Sequence, residues 1–197
     1  MEKRIEDYLK DVQENFKKVS LALADKEVAN NERQLLLVSY FDIDMEHIQA
    51  IHLLIMQKLY GSSFALVRSF YETFLRALWM LKSATDDEIE NIKNNQFKFP
   101  CTKKMVSDID SEYMMTNFFE EFRSSSWTTL CDYTHTGTLQ LSRRWTEEEL
   151  IPNYKDSEII EVLKNTNNLI LLFAIVVLQE HEYKNEVNEL RLSWIEI

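Results

Sequence analysis

The sequence predicts an all-α fold, an up-and-down bundle of about five to seven helices in a single domain spanning residues 1–197. Three observations carry this. Only two glycines and two prolines occur in 197 residues, so tight turns that need positive or fixed φ are expected to be few. Apolar residues recur at helical spacing over long stretches. No run of alternating residues bounded by turn formers reads as a hairpin. A chain of this length buries roughly 70 % of its extended surface, enough for one core without disulfides or metal.

The first helix is expected over about 3–24. Ile5, Leu9, Val12, Phe16, Val19 and Leu23 alternate steps of four and three, which places them on one stripe. The polar stretch Ala24–Asn31 then connects to a second helix, from Glu32 to about Tyr60, with Tyr40, Ile43, His47, Ile51 and Leu54 on one face. Gly61 reads as the residue that ends it, and Ser62 or Ser63 as the cap of a third helix over about 62–82. So short a joint implies an antiparallel hairpin.

Asp86, Asp87 and Glu88 mark the start of a short fourth helix, where negative charge suits the N-terminal dipole. Asn94–Lys104 reads as a loop around Pro100. Helices are expected over about 107–122 and 126–144, the second bent or interrupted by Gly137. Pro152 marks a further break, and a last long helix covers about 156–183. Its uninterrupted apolar run, Leu169–Leu178, is ten residues, about half a bilayer span, and reads as a core helix. The charged, amphipathic start (MEKRIEDYLKDVQENF) resembles neither a secretory signal nor an anchor. Cys101 and Cys131 form no CxxC pair. The expectation is a cytoplasmic protein with no membrane partner.

A net charge of −11 argues against broad, non-specific nucleic-acid binding, which depends on neutralising phosphates. It leaves room for a local basic site. Sequence signatures of other chemistries are missing: two glycines cannot build a phosphate-cradling loop, and no G-x-S-x-G elbow is present.

Chemistry concentrates in two places. Between Ser62 and Leu81 only Arg68, Glu72 and Arg76 are ionisable at neutral pH. At 100° per residue they fall within about 80° of one another on an otherwise apolar helix. Charges on so apolar a helix must be paired, and the four-residue spacing lets Glu72 meet both arginines. The strip serves as an exposed salt-bridge ladder, as an ion-pair network tying the bundle together, or as a polar pocket. In the pocket an arginine binds an anionic group and Glu72 orients a partner or moves a proton.

The second place is Asp132-Tyr133-Thr134-His135-Thr136, followed by Gln140, Arg143 and Arg144. His135 is the side chain best suited to acid–base work near neutrality, and a hydrogen-bonded structural role is its alternative. Arg143 and Arg144 read either as a phosphate-facing patch or as solvated partners of Glu147–Glu149. A third pair, Asp44 and His47, has the i, i+3 spacing of one half of a di-iron site but no second copy. Core packing is the expected role of His47, and no metal or cofactor is called for.

Ser63-Phe64-Ala65-Leu66-Val67-Arg68-Ser69-Phe70-Tyr71-Glu72 and Tyr133-Thr134-His135-Thr136-Gly137 resemble the shared pattern of a group of uncharacterised bacterial all-helical proteins, SA-x-x-L-x-R-x-x-x-E followed by Tyr-Thr-His-Gly. That group is distantly similar to the HEPN superfamily of helical bundles. The resemblance implies a metal-independent ribonuclease or toxin-type effector of phage defence or a toxin–antitoxin system, acting on RNA as a homodimer, with an antitoxin or other protein partner. HEPN nucleases carry Arg-x(4–6)-His on one segment. Here Arg68 and His135 lie on different segments, so folding must bring them together. On this reading Arg68, Glu72, Tyr133 and His135 surround one catalytic pocket, with Arg76, Arg143 and Arg144 binding. The competing reading is a non-catalytic dimer or adaptor in which the strip is structural and the first helix forms the interface.

Overall fold

The computed structural model describes residues 4–27, 31–114 and 116–195. Within them the chain forms nine helices and no strands: α1 Ile5–Leu23, α2 Glu32–Met56, α3 Tyr60–Lys82, α4 Asp86–Lys93, α5 Thr102–Glu112, α6 Phe118–Thr134, α7 Thr138–Ser142, α8 Asp156–Glu180 and α9 Lys184–Ile195. The all-helical expectation holds. The expected first residue of the first helix, Lys3, and residues 28–30 of the first connection lie outside the described residues.

The organising unit is the α2–α3 hairpin. At its open end Arg33, in the first turn of α2, donates to the carbonyls of Met80 (2.6 Å) and Ala84 (2.9 Å) at the end of α3. Toward its closed end the Ser63 hydroxyl donates to the Ile51 carbonyl at 3.1 Å. Between them α3 is enclosed by α2, α5, α6 and α8. Phe74 of α3 meets Phe173 of α8 edge-on, with ring centroids 5.2 Å apart, and Phe41 of α2 meets Phe173 at the same separation. All three rings lie in the core. Edge-to-face pairs of this kind add about 0.5–1.5 kcal/mol beyond simple burial.

The stripe on α1 packs inward against α8 and α9. Val12 and Val19 are buried and Ile5, Leu9, Phe16 and Leu23 are partly so. The stripe expected as an interface is thus largely occupied within the chain, while α1 exposes Leu21 and α2 exposes Leu35, Ile43, Leu53 and Met56. By length and composition α8 is apolar enough to cross a membrane, but its apolar side chains, Leu163, Ile170, Leu171 and Phe173 among them, fill the core. That burial is consistent with a soluble protein.

Gly61 does not end α2. The helix stops at Met56, and Lys58 takes the left-handed conformation at φ 59°. The Lys58 N–H then bonds to the Ile55 carbonyl and the Leu59 N–H to the Leu54 carbonyl, the paired closure of a Schellman turn. Asn95 and Glu182 close α4 and α8 the same way. Left-handed turns are therefore not scarce: among the described residues seven non-glycine residues adopt positive φ and neither glycine does. Each non-glycine costs about 1–2 kcal/mol, which the surrounding helix packing offsets. The expected final helix, about 156–183, is α8, which the turn at Glu182 closes, and α9 is a further helix beyond the expected range.

The segments between α4 and α8 also differ from expectation. The helix expected over 107–122 is two, α5 and α6, separated by a turn that holds Asn117 at φ 58°. The one expected over 126–144 is the latter half of α6 followed by α7.

Asp44 is fully buried on α2, and neither of its carboxylate oxygens has a hydrogen-bond partner by distance and angle. The nearby Thr73 hydroxyl donates instead to the Ser69 carbonyl at 2.9 Å. Burial raises the Asp44 pKa to about 9, and proximity to Thr73 offsets only part of this. The folded protein thus holds a proton that the unfolded chain, with the ordinary value of 3.8, releases. Stability must fall as pH rises between those values. Buried His52 has its pKa lowered by burial to about 4, so it withdraws stability as pH falls through 6.5 toward 4. Asp44→Asn removes the first titration and keeps the second. Its melting temperature relative to wild type should therefore climb steadily from pH 5 to pH 8 in thermal melts, and a pH-independent difference would contradict a protonated Asp44.

Candidate functional site

The polar site forms where α6 crosses α3. Asp110 of α5 accepts from the Phe119 and Glu120 N–H groups at 3.0 and 3.1 Å, satisfying orphan donors at the start of α6. At the other end the Thr134 hydroxyl lies 3.2 Å from the Ala65 carbonyl on α3 and 2.9 Å from the Leu130 carbonyl. The helix then ends with Thr136 at φ 55° and the Gly137 N–H bonded to the Asp132 carbonyl at 2.7 Å. Gly137 therefore follows the left-handed residue rather than being it. His135 is the C-cap, delivered to the surface of α3.

There Arg68 Nη1 lies 2.5 Å from His135 Nε2. Arg68 Nε donates to Glu72 Oε1 at 2.8 Å, and Arg76 Nη2 donates to Glu72 Oε2 at 3.3 Å. Guanidinium groups only donate, so the contact with His135 is a hydrogen bond only if Nε2 carries no proton and Nδ1 holds it. The Arg68 guanidinium lies over the Trp127 ring at 5.2 Å, and that of Arg76 over Phe99 at 5.3 Å. Arg68 and Glu72 keep about a fifth of their side-chain surface exposed, Arg76 about two fifths. His135 is exposed. The result is an open cationic strip with the His135 imidazole at one end and an aromatic loop at the other.

Tyr133 is not part of it. Two residues from His135, it points to the other side of α6, where its buried ring meets Phe64 edge-on at 5.1 Å. Its hydroxyl pairs with Arg143, and burial holds its pKa above the ordinary phenol value. Arg143 forms an ion pair with Glu158 of α8, so Glu147–Glu149 are not its partners. Arg144 is exposed and is directed at the first turn of α3. A Cβ on Gly61 would stand 2.5 Å from Arg144 Nη2 and 2.8 Å from the Tyr154 hydroxyl. Only a residue without a side chain permits that approach, and the Gln140 amide also donates to the Gly61 carbonyl at 3.1 Å.

Sequence reasoning missed Trp127 and Phe99, the two rings that face the arginines. Both occur amid polar or basic neighbours, a weak signal for aromatic side chains held near the surface. Among the described residues no three His, Cys, Asp or Glu side chains gather as a metal site. His47 is half-buried and Asp44 faces Thr73.

The turn that presents His135 is fixed by Asp132, whose Oδ1 accepts from the Leu139 and Gln140 N–H groups at 2.8 and 3.1 Å. A Cβ on Gly137 would lie 2.2 Å from Asp132 Oδ2, expelling the carboxylate. Asp132→Ala and Gly137→Ala should each cost about 1 kcal/mol, as a lost cap does. The double variant should cost little more than Asp132→Ala alone. Urea melts of the four proteins check this, and simple additivity would show that the two residues act separately.

A family model covers residues 41–194, that of a family of unknown function, DUF6988. The chain belongs to that family. No curated protein and no solved structure matches it.

Proposed function

We propose that this DUF6988 protein is a HEPN-like, metal-independent ribonuclease, a toxin-type effector of bacterial phage defence or of a toxin–antitoxin system. The observation that carries the reading is the Arg68–His135 contact, made across α3 and α6 by residues far apart in sequence. His135 Nε2 is the proton acceptor. A ribose 2′-OH replaces the guanidinium as its donor, and the released 2′-oxygen attacks the adjacent phosphorus. The 5′ oxygen leaves, taking a proton from the imidazolium or solvent, and the products end in a 2′,3′-cyclic phosphate and a 5′-hydroxyl. Arg68, steadied by Glu72 and Trp127, pairs with the phosphate as charge builds on it. The reading places the protein in the cytoplasm as a homodimer held in check by an antitoxin.

Only Arg68 and Arg76 face the proposed strand from this strip. RNA affinity should therefore fall with salt at a shallow logarithmic slope of about −1.4, the value for two phosphate contacts on a single strand. Cleavage of a short RNA should drop at least about 100-fold in His135→Ala, the scale of a lost general base, and comparably in Arg68→Ala. Unchanged cleavage in His135→Ala would sink the proposal.

A second reading has its own support. The apolar side chains exposed on α2 suit a non-catalytic dimer or adaptor, with the Arg68–Glu72–Arg76 strip structural. Here His135→Ala is silent in any cleavage assay. Glu72→Gln lowers stability by about 1 kcal/mol, a melting shift of roughly 2–4 °C for a chain of this size. Paired cleavage and melting measurements on the two variants separate the readings.

A further inference from the structure

The opposite side of the α3–α6 seam holds a different feature, a cavity of about 280 Å³ closed below by α8. This is near the lower end of the range for small-ligand pockets, about 300–1,000 Å³. Neither Arg68, Glu72 nor His135 lines it. Four rings do: Phe64, Tyr71, Phe122 and Tyr133, with Tyr71 and Phe122 stacked at 4.4 Å.

The charge of the lining has one sign. It contains two carboxylates, Glu158 and Glu161, and no lysine or arginine. Glu158 is compensated from outside by Arg143. Glu161 has no ion-pair partner among the described residues and is exposed, a fixed negative charge on the cavity rim. Its influence reaches the floor: the Tyr71 phenol is held well above its ordinary pKa first by burial and then by Glu161. Both phenols therefore stay neutral and contribute electron-rich faces. Aromatic faces and an uncompensated carboxylate attract the same ligand, a desolvated cation, and both disfavour an anion.

We infer that this cavity binds a small organic ammonium ion with an apolar body, its charge at Glu161 and its body among Phe64, Tyr71, Phe122 and Tyr133. The site is separate from the ribonuclease reading and needs no RNA, so either can fail alone. Benzyltrimethylammonium is the probe, titrated into the full chain by calorimetry beside benzyl alcohol, its uncharged counterpart, and benzoate. Saturable binding at least about fivefold tighter than benzyl alcohol is expected, within the range of a partly desolvated cation–π contact. Benzoate should not compete. Glu161→Gln should weaken binding about fivefold. Thr129→Trp, which fills the cavity from the exposed side of α6, should abolish it while helicity by circular dichroism is retained. Equal affinity for benzyl alcohol would overturn the inference. So would unchanged binding in either variant, or no saturable binding below about 10 mM, the affinity of a trivial contact.

Discussion

Enclosure of α3 on four sides is the constraint on which the rest depends. A helix packed against α2, α5, α6 and α8 has almost no free surface for charge, yet it carries three ionisable groups in its middle turns. Isolated, each would cost several kcal/mol to bury. Spaced at four residues along the edge of the seam with α6, they neutralise one another in part and keep between about a fifth and two fifths of their side-chain surface in water. Net charge on the strip is still positive, two arginines against one glutamate. The aromatic faces of Trp127 and Phe99 meet that excess without cancelling it.

The same constraint explains the two glycines. Neither supplies positive φ. Gly61 lets Arg144, Tyr154 and Gln140 reach the first turn of α3, and Gly137 lets the Asp132 carboxylate fold under α7. Close approach at the edges of a crowded helix is the scarce resource, and turning is handled by Lys58, Asn95, Thr136 and Glu182. Ordinary residues can be held left-handed when two backbone hydrogen bonds and packed flanks enforce it.

This decides what could be read in advance. Periodicity identified α1 and the continuous apolar run identified α8, because buried side chains dominate those segments, whereas α4 was legible from the acidic residues of its first turn and the hairpin from its short joint. Spacing alone identified the Glu72 pairings, since i, i+4 geometry is local to one helix. Gly61 misled because composition treats glycine as a turn residue, whereas a side-chain approach from distant Arg144 is invisible in sequence. α9 escaped because its buried contacts, Val187 and Leu190, are too few to make a stripe. The contact between Arg68 and His135 was an expectation drawn from a resemblance; no local rule supplies a distance between segments so far apart.

Tyr133 shows where local reasoning fails inside a single motif. Two residues on a helix differ by about 200° in direction, so Tyr133 and His135 cannot face the same side of α6 whatever their proximity in sequence. One points into an acidic, aromatic cavity, the other onto a cationic strip. α6 thus divides its polar side chains between two environments of opposite charge, separated by the line of contact with α3. A ligand of one sign is repelled from the side that suits the other. Any change that rotates α6 about its axis would disturb both sides at once, whereas the substitutions at Glu161 and His135 each act on one.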